Sequence, residues 1–314
     1  MSEPKMPLSS MQNSLIFDIK RYAINDGPGI RIVIFFKGCN LRCAWCHNPE
    51  SISAKAERMY APTKCIKCGT CVTACPEKAI TLTPEGIVTD NNLCKQCGKC
   101  ADVCPTKAIE MSGKVITVPE IMEIIEKERV FFDQSGGGVT FSGGEPLIHS
   151  EMLIELLDEC RKRKIHTAVD TAGNVSTETI LEVAKRTDLF LYDLKMMNSE
   201  MHKKWVNSSN ERILKNLQAI SDFGSKVIIR IPLIGGVNDS MLNIVETARF
   251  VARLSGEKKV VNLLPYHNIA QHKYMKLGKA DSFENLVEPD KNTQEKAISI
   301  FEGYGIQADR KSTR

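Results

Sequence analysis

Arg31-Ile-Val-Ile-Phe-Phe-Lys-Gly-Cys39-Asn-Leu-Arg-Cys43-Ala-Trp45-Cys46 joins an unbroken apolar run to a loop carrying three cysteines in a C-x3-C-x2-C spacing. The run Arg31–Phe36 reads as a strand, and the loop therefore opens at its carboxyl end. A cubane iron–sulfur cluster normally takes four thiolates. A compact loop that offers three leaves one iron open, as catalytic metal sites keep a position free while structural ones close it. A zinc site or a loop of free thiols would use the same residues. Zinc wants a fourth Cys or His, and His47 is the nearby candidate.

Eleven of the twelve cysteines lie between Cys39 and Cys104, and only Cys160 follows. Cys65, Cys68, Cys71 and Cys75 form a C-x2-C-x2-C-x3-C run followed by Pro76, and Cys94, Cys97, Cys100 and Cys104 repeat it before Pro105. This is the pattern of bacterial two-cluster ferredoxins, in which the fourth cysteine of each run ligates the other cluster. The expected ligand sets are Cys65, Cys68, Cys71 and Cys104 for one cluster, and Cys94, Cys97, Cys100 and Cys75 for the other. Two closed zinc sites are the plainer alternative. Lys64, Lys67, Lys95 and Lys99 lie in or beside the runs and are expected to offset cluster charge, or else to be solvated loop lysines.

Outside residues 56–113 the chain alternates strand and helix signals. Strand-like runs are Arg31–Phe36, Gly138–Phe141, His166–Val169, Leu189–Tyr192, Val227–Ile231 and Val260–Leu264. Amphipathic stretches follow near Pro119–Phe132, Ser150–Lys164, Ser176–Arg186, Asn210–Phe223, Met241–Leu254 and Asn292–Tyr304, with Ser176 and Ser240 as N-caps. Six βα units imply an α/β fold with a parallel sheet and helices outside it. Chemistry then belongs at the carboxyl ends of the strands. There the sequence sets Ser142-Gly143-Gly144-Glu145-Pro146, Asp170-Thr171, Asp193-Leu-Lys195, Arg230 and Leu264-Pro-Tyr-His267. Glycines let backbone approach closely, and Glu145 can accept hydrogen bonds from an ammonium.

Composition is that of an ordinary globular chain, with 42% hydrophobic and 25% charged residues. A net charge of +4 without Lys/Arg blocks and interleaved aromatics argues against nucleic acid as a partner. No apolar run is long enough to span a bilayer, so no membrane is expected. Met1-Ser-Glu-Pro-Lys-Met-Pro lacks the apolar core of a secretory signal. Twelve cysteines then fit metal ligation in a reducing cytoplasm better than disulfides.

The three-cysteine loop with an aromatic before its last cysteine resembles the radical S-adenosylmethionine (radical SAM) superfamily. Asp26-Gly-Pro-Gly-Ile-Arg31, the loop from Gly38 to Pro49, Ser135-Gly-Gly-Gly-Val-Thr-Phe-Ser-Gly-Gly-Glu145, Asp170-Thr171, Tyr192-Asp-Leu-Lys195 and Leu264-Pro-Tyr-His267 follow in the order of one of its families. From about Leu15 to Tyr304 the chain is similar to the glycyl radical enzyme activating enzymes, such as the pyruvate formate-lyase activase. The resemblance implies a partial (β/α)6 barrel formed by residues 15–55 and 114–314, a tail at 1–14, and a 2[4Fe-4S] ferredoxin insert at 56–113.

It also implies roles. Cys39, Cys43 and Cys46 would ligate the SAM cluster, making three [4Fe-4S] clusters in all, with Trp45 packed beside it. Gly143, Gly144 and Glu145 would meet the SAM amino group, Lys195 and Arg230 its carboxylate or ribose, and His267 the nucleoside. Asp170, Thr171 and Asp193, with the Leu191 carbonyl, would hold a monovalent cation, and Asp26-Gly-Pro-Gly would help hold the partner's glycine loop. The implied reaction is reductive cleavage of SAM to a 5′-deoxyadenosyl radical that takes a hydrogen from a glycine Cα in a partner glycyl radical enzyme. Electrons would come from a flavodoxin- or ferredoxin-type donor. The insert points away from pyruvate formate-lyase and toward a dehydratase, lyase or decarboxylase as partner. Two other readings use the same motifs: a radical SAM enzyme acting directly on a small molecule, and an electron carrier with an inert α/β domain.

Overall fold

A computed structural model describes residues 15–256, 259–279 and 286–311. The tail at 1–14 lies outside the described residues. The strands in chain order are β1 (Leu15–Ala23), β2 (Arg31–Phe36), β3 (Glu57–Tyr60), β4 (Ile80–Thr83), β5 (Gly86–Thr89), β6 (Ile109–Ser112), β7 (Lys114–Val115), β8 (Gly138–Gly143), β9 (His166–Thr171), β10 (Leu189–Asp193), β11 (Val227–Leu233), β12 (Val260–Pro265) and β13 (Gln307–Arg310). The helices are α1 (Thr70–Ala74), α2 (Lys99–Asp102), α3 (Val118–Glu126), α4 (Arg129–Ser135), α5 (Ser150–Lys162), α6 (Thr177–Ala184), α7 (Ser199–Val206), α8 (Glu211–Asp222), α9 (Met241–Ala252), α10 (Gln271–Lys276) and α11 (Lys291–Gly303).

Nine strands form one open sheet in the order β13-β12-β11-β10-β9-β8-β2-β1-β7. From β2 to β13 neighbouring strands are parallel, and β1 and β7 finish one edge antiparallel. Every residue of β2 is buried, the pattern of a strand covered on both faces. Ile32, Ile34 and Phe36 join Phe141, Leu153, Leu157, Phe190 and Ile220 in one core between sheet and helices. Ser176 and Ser240 accept from the Thr179 and Asn243 amides (3.1 and 3.3 Å), so both capping expectations match the structure. Among the described residues no helix is long and apolar enough to cross a membrane.

Three departures from the sequence reading have physical causes. The helix expected near Pro119–Phe132 is broken into α3 and α4 at Lys127–Glu128. Glu128 is buried and paired with Arg21 of β1 at 2.9 Å, which fixes the chain where a straight helix would continue. β1 carries Asp18, Lys20 and Arg21 among its apolar residues, and β13 is a short polar edge strand, so neither offers an apolar run. α7 and α10 are each only two turns or so, below what periodicity resolves.

Residues 57–112 form a separate lobe. β3 pairs with β6 and β4 with β5, both antiparallel. The internal repeat is visible in the backbone: Lys67, Gly69 and Lys78 have positive φ, and so do Gln96, Gly98 and Lys107, each 29 residues later. At the junction with the main sheet, the buried Lys37 ammonium donates to the Glu50 carbonyl (2.5 Å) and to Glu57 (3.0 Å). Lys279 reaches the other Glu57 oxygen at 3.1 Å.

Candidate active site

The cysteine loop leaves β2 at the sheet's carboxyl edge and is tied down on two sides. Gly38 and Cys39 donate to the carbonyls of Ser51 and Ile52 (2.6 and 3.1 Å). Arg42 and Ala44 donate to those of Val206 and Trp205 at the end of α7 (2.9 and 3.0 Å). The short helix that sequence periodicity overlooked is thus the loop's main scaffold. Asn40 adds a side-chain bond to the Asn174 carbonyl at 2.6 Å.

One cavity, about 1080 Å³ of empty space partly open to solvent, brings together Cys39, Cys43 and Cys46 with Gly143, Gly144, Asp170, Asp193, Lys195 and Arg230. Burial pushes the Cys39 thiol up to about 12, with Glu145 adding to the effect. Burial likewise raises Cys43 and Cys46. Thiols held so far from ionisation are poor nucleophiles in the bare chain. A coordinating cation inverts that, deprotonating them outright. Three half-buried thiols lining one cavity therefore fit a metal cluster. Among the described residues no three His, Cys, Asp or Glu side chains converge as a single bound ion requires.

The Gly-Gly-Glu segment does something other than its sequence suggests. Gly143 has φ +132°, and a Cβ there would lie 2.1 Å from the Phe36 carbonyl oxygen. A Cβ on Gly144 would lie 2.1 Å from the Gly38 oxygen and 3.0 Å from the Cys39 Cβ. The glycines permit β8 to press against the root of the cysteine loop, sealed by Gly144 donating to Phe36 and Glu145 to Gly38 (2.8 and 2.9 Å). Glu145, expected to face an ammonium, turns inward instead: it is 1% exposed and does not line the cavity. Its carboxylate accepts from Leu147 N (3.1 Å), Thr171 Oγ1 (2.6 Å) and Ala172 N (3.0 Å), which ties the end of β8 to the end of β9. Burial still pushes it up to about 7.

Glu145→Ala should therefore destabilise the protein by about 3 kcal/mol, because three donors lose their acceptor. Glu145→Gln should cost less and leave SAM binding within a few-fold of wild type. A large loss of SAM affinity in the Gln variant, with the melting temperature unchanged, would restore the ammonium-ligand role.

The charged rim is a network. Lys195 donates to Asp193 Oδ2 at 2.9 Å. Arg230 Nη1 lies 3.2 Å from Asp170 Oδ2 and 3.8 Å from Asp26 Oδ1, and its Nε lies 3.8 Å from Asp193 Oδ1. Ser142 donates to Asp170 at 2.7 Å. Burial opposes the charge on Lys195, yet Asp193 and the Cys43 thiol hold it above the usual lysine range. Burial opposes Arg230 as well, and Asp170 and Asp193 outweigh it. Asp193 Oδ1 is buried and accepts no hydrogen bond. Thr171 spends its hydroxyl on Glu145.

His267, expected beside a nucleoside, does not line the cavity. His47 and Tyr266 do, and the His267 ring sits 4.9 Å from the His47 ring while its carbonyl oxygen lies 3.1 Å from His47 Nε2. Trp45 is buried on the cavity wall. Asn238 went unnoticed in the sequence. Fully enclosed, it donates to the Lys195 and Pro232 carbonyls (2.7 and 2.6 Å) and so fixes the backbone that carries Lys195. A lone asparagine in a Gly-Val-Asn-Asp loop gives no sequence signal for that role.

Two motifs singled out by their order turn out to be one joint. A Cβ on Gly137 would lie 1.8 Å from the Ile30 oxygen, and Ile30 N donates to Ser135 Oγ at 2.8 Å. Arg31 donates to Thr140 (2.7 Å) and the Val139 carbonyl (2.6 Å), and Thr140 to the Asp26 carbonyl (2.6 Å). Asp26-Gly-Pro-Gly is thereby locked onto the Gly-Gly-Gly turn, with Asp26 on the cavity wall.

In the small lobe, Cys65, Cys68, Cys71 and Cys104 line one cavity, and Cys75, Cys94, Cys97 and Cys100 line another. These are the crosswise sets that the ferredoxin spacing implies. The four lysines expected to offset charge are all exposed. The cation with enclosed nitrogens there is Arg58, a half-buried residue on the wall of the second cavity whose Nε and Nη1 are shielded from solvent.

The radical SAM superfamily matches residues 91–248, a 4Fe-4S dicluster domain residues 64–108, and a 4Fe-4S single cluster domain residues 25–83, which contain the three-cysteine loop. The chain is 42% identical to the trans-4-hydroxy-L-proline dehydratase activating enzyme of Clostridioides difficile, over 92% of this chain and 96% of that one. It is 40% identical to the isethionate sulfite-lyase activating enzyme of Desulfovibrio desulfuricans, over 87% and 89%. A radical SAM methyltransferase from Sphaerobacter thermophilus shares the fold, with a TM-score of 0.50 at 18% identity over 70% of this chain and 62% of that one. The protein belongs to the radical SAM superfamily and, within it, to the glycyl radical enzyme activating enzymes.

Proposed function

We propose that the protein cleaves S-adenosylmethionine to a 5′-deoxyadenosyl radical and directs it at the Cα of one glycine in a partner glycyl radical enzyme. The observation that carries this reading is the single cavity joining three half-buried thiols to a rim of paired acids and bases. When bound by Cys39, Cys43 and Cys46, a [4Fe-4S] cluster supplies the electron for SAM cleavage and an open iron for its amino and carboxylate groups. The chain's own residues bind, orient and exclude water. Lys195 and Arg230 offer charge to the SAM carboxylate or ribose. The backbone of Gly143 and Gly144 faces the amino group, while Trp45, Leu264 and Tyr266 supply apolar wall. His267 would act on the nucleoside only through His47.

Asp193 Oδ1, an acceptor without a donor, supports a monovalent cation near Asp170, Thr171 and Asp193. Such an ion would have to share these carboxylates with Arg230 and Lys195. The reading takes the sheet and its helices as a partial (β/α)6 barrel of residues 15–55 and 114–314 with a 2[4Fe-4S] insert at 56–113. The insert's two cavities would make three clusters in all and relay electrons from a flavodoxin- or ferredoxin-type donor. Asp26-Gly-Pro-Gly, with Asp26 on the cavity wall, would hold the partner's glycine loop. Glycine suits that site because, without a Cβ, its backbone enters a narrow cleft and its radical lies planar between amides. The named relatives activate a dehydratase and a sulfite-lyase, which supports a partner of that kind over pyruvate formate-lyase.

With SAM, a strong reductant and the cognate partner, a persistent glycine-centred EPR doublet should form on the partner chain. Changing that glycine to alanine should remove it. A metabolite turned over with no partner radical would establish the small-molecule reading instead.

A further inference from the structure

The insert's two cavities are built on one repeating frame and differ in the side chain that a strand supplies to each. Most residues of the first cavity have a counterpart 29 residues away in the second: Cys65 and Cys94, Gly69 and Gly98, and, in the strand ahead of each run, Arg58 and Ile87. Ile87 lines the cavity of Cys65, Cys68, Cys71 and Cys104, and Arg58 that of Cys75, Cys94, Cys97 and Cys100. Arg58 Nε and Nη1 are buried and have no hydrogen-bond acceptor. A guanidinium nitrogen buried without an acceptor is costly, so a cavity occupant that supplies one is expected. The Arg58 amide is held by Gln96 Oε1 at 2.8 Å, which anchors the residue to the loop of the second run.

The remaining charges do not cancel this asymmetry. Glu77 and Lys95, on the second cavity, are exposed and opposite in sign, and Lys67, on the first, is exposed with its ammonium on the Pro84 carbonyl. The first cavity has neutral donors only: Thr70 gives its hydroxyl to Cys68 Sγ at 3.3 Å, and Thr106 lies 3.9 Å from Cys104 Sγ. Hydrogen bonds from charged donors are about twice as strong as neutral ones. Cluster potential follows net charge, hydrogen bonds to sulfur and exposure. A cubane with four thiolates gains one negative charge on reduction, which a buried cation favours.

We propose that Arg58 makes the two insert clusters unequal: its guanidinium donates to the cluster held by Cys75, Cys94, Cys97 and Cys100 and stabilises its reduced state, so this cluster is reduced before its twin. An electron from a flavodoxin- or ferredoxin-type protein, which is itself oxidised, then passes from the Cys65 set to the Cys75 set as the first cluster is reoxidised and the second reduced. Arg58 is a positioning and tuning residue. The proposal rests on the reading that each set holds one cubane.

The test is an anaerobic EPR-monitored redox titration of the full-length reconstituted protein, with iron counted in parallel. The open cluster is told apart by its response to added SAM. Wild type should show two separate insert potentials. Arg58→Gln should lower the higher one by on the order of tenfold in its reduction equilibrium, about 59 mV for one electron, and leave the lower one in place. Arg58→Lys, keeping the charge, should restore most of the gap. Coincident wild-type potentials overturn the proposal, as does a Gln shift that falls on the lower step or equally on both. Should Arg58→Gln shed a cluster, the wild-type gap and its persistence in Arg58→Lys decide, and coincidence in either overturns the proposal. A wild-type iron count short of two insert cubanes overturns the two-cluster reading itself, an outcome separate from a full count with equal potentials.

Discussion

Cys43→Ala should reduce 5′-deoxyadenosine formation to background while leaving both proposed insert clusters assembled. Three thiolates are already the minimum for an open cubane, and the neighbouring His47 has its Nε2 on the His267 carbonyl. The thiol sits on the cavity wall shared with Lys195. Iron should fall by about one cubane of the three that the ligand sets allow. The insert is tied to the main sheet through Lys37, Glu57 and Lys279, and its own cavities contain none of this loop's three cysteines, so its signals should persist. Cys160→Ala is the control: buried in α5 against Met122 and pushed up to about 12 by burial, that thiol should be dispensable for every cluster. Undiminished 5′-deoxyadenosine from anaerobic Cys43→Ala would remove the loop from the reaction.

The second large effect concerns Cys75. Although it belongs to the first cysteine run, it lines the cavity of Cys94, Cys97 and Cys100. Cys75→Ala should therefore strip iron from the second run's cluster and spare the first, whereas Cys104→Ala should do the reverse. Either variant should slow glycine activation by orders of magnitude when a protein donor supplies electrons. A small reductant able to enter the open cavity should restore much of the rate if, as proposed, the insert delivers electrons and takes no part in hydrogen abstraction. If Cys75→Ala instead damages the cluster of Cys65, Cys68 and Cys71, the crosswise assignment is wrong. If no reductant rescues a variant that still binds SAM, the relay role fails.

Much of this was legible because the signals were periodic or repeated. Buried parallel strands are short apolar runs, so β2, β8, β9, β10, β11 and β12 stood out. The doubled cysteine runs carried their pairing in their spacing. What escaped depends on contacts between distant segments. The break before α4 follows from the Arg21–Glu128 ion pair, and the loop's support from α7 follows from two backbone bonds. Motif letters also mislead about direction. Glu145 looks like a ligand-facing acid, and only its three donors, two of them beyond the motif's own turn, show that it faces inward. Likewise Asp26-Gly-Pro-Gly and Ser135-Gly-Gly-Gly read as separate signatures until Gly137 is seen pressed against Ile30.

The pairing of β3 with β6 sets Glu57 opposite Ser112, so the chain enters and leaves the small lobe at neighbouring residues. Loop-closure entropy depends on bringing two ends together, and here the strand pair has already done so. To the main sheet, the lobe is a detour that returns to its starting point. A two-residue turn could bridge the same gap, so a shortened chain lacking the lobe would keep its catalytic cavity and lose only its wiring. The lobe itself has no such dividing line: because each cavity borrows a cysteine from the other run, neither half can be pruned alone.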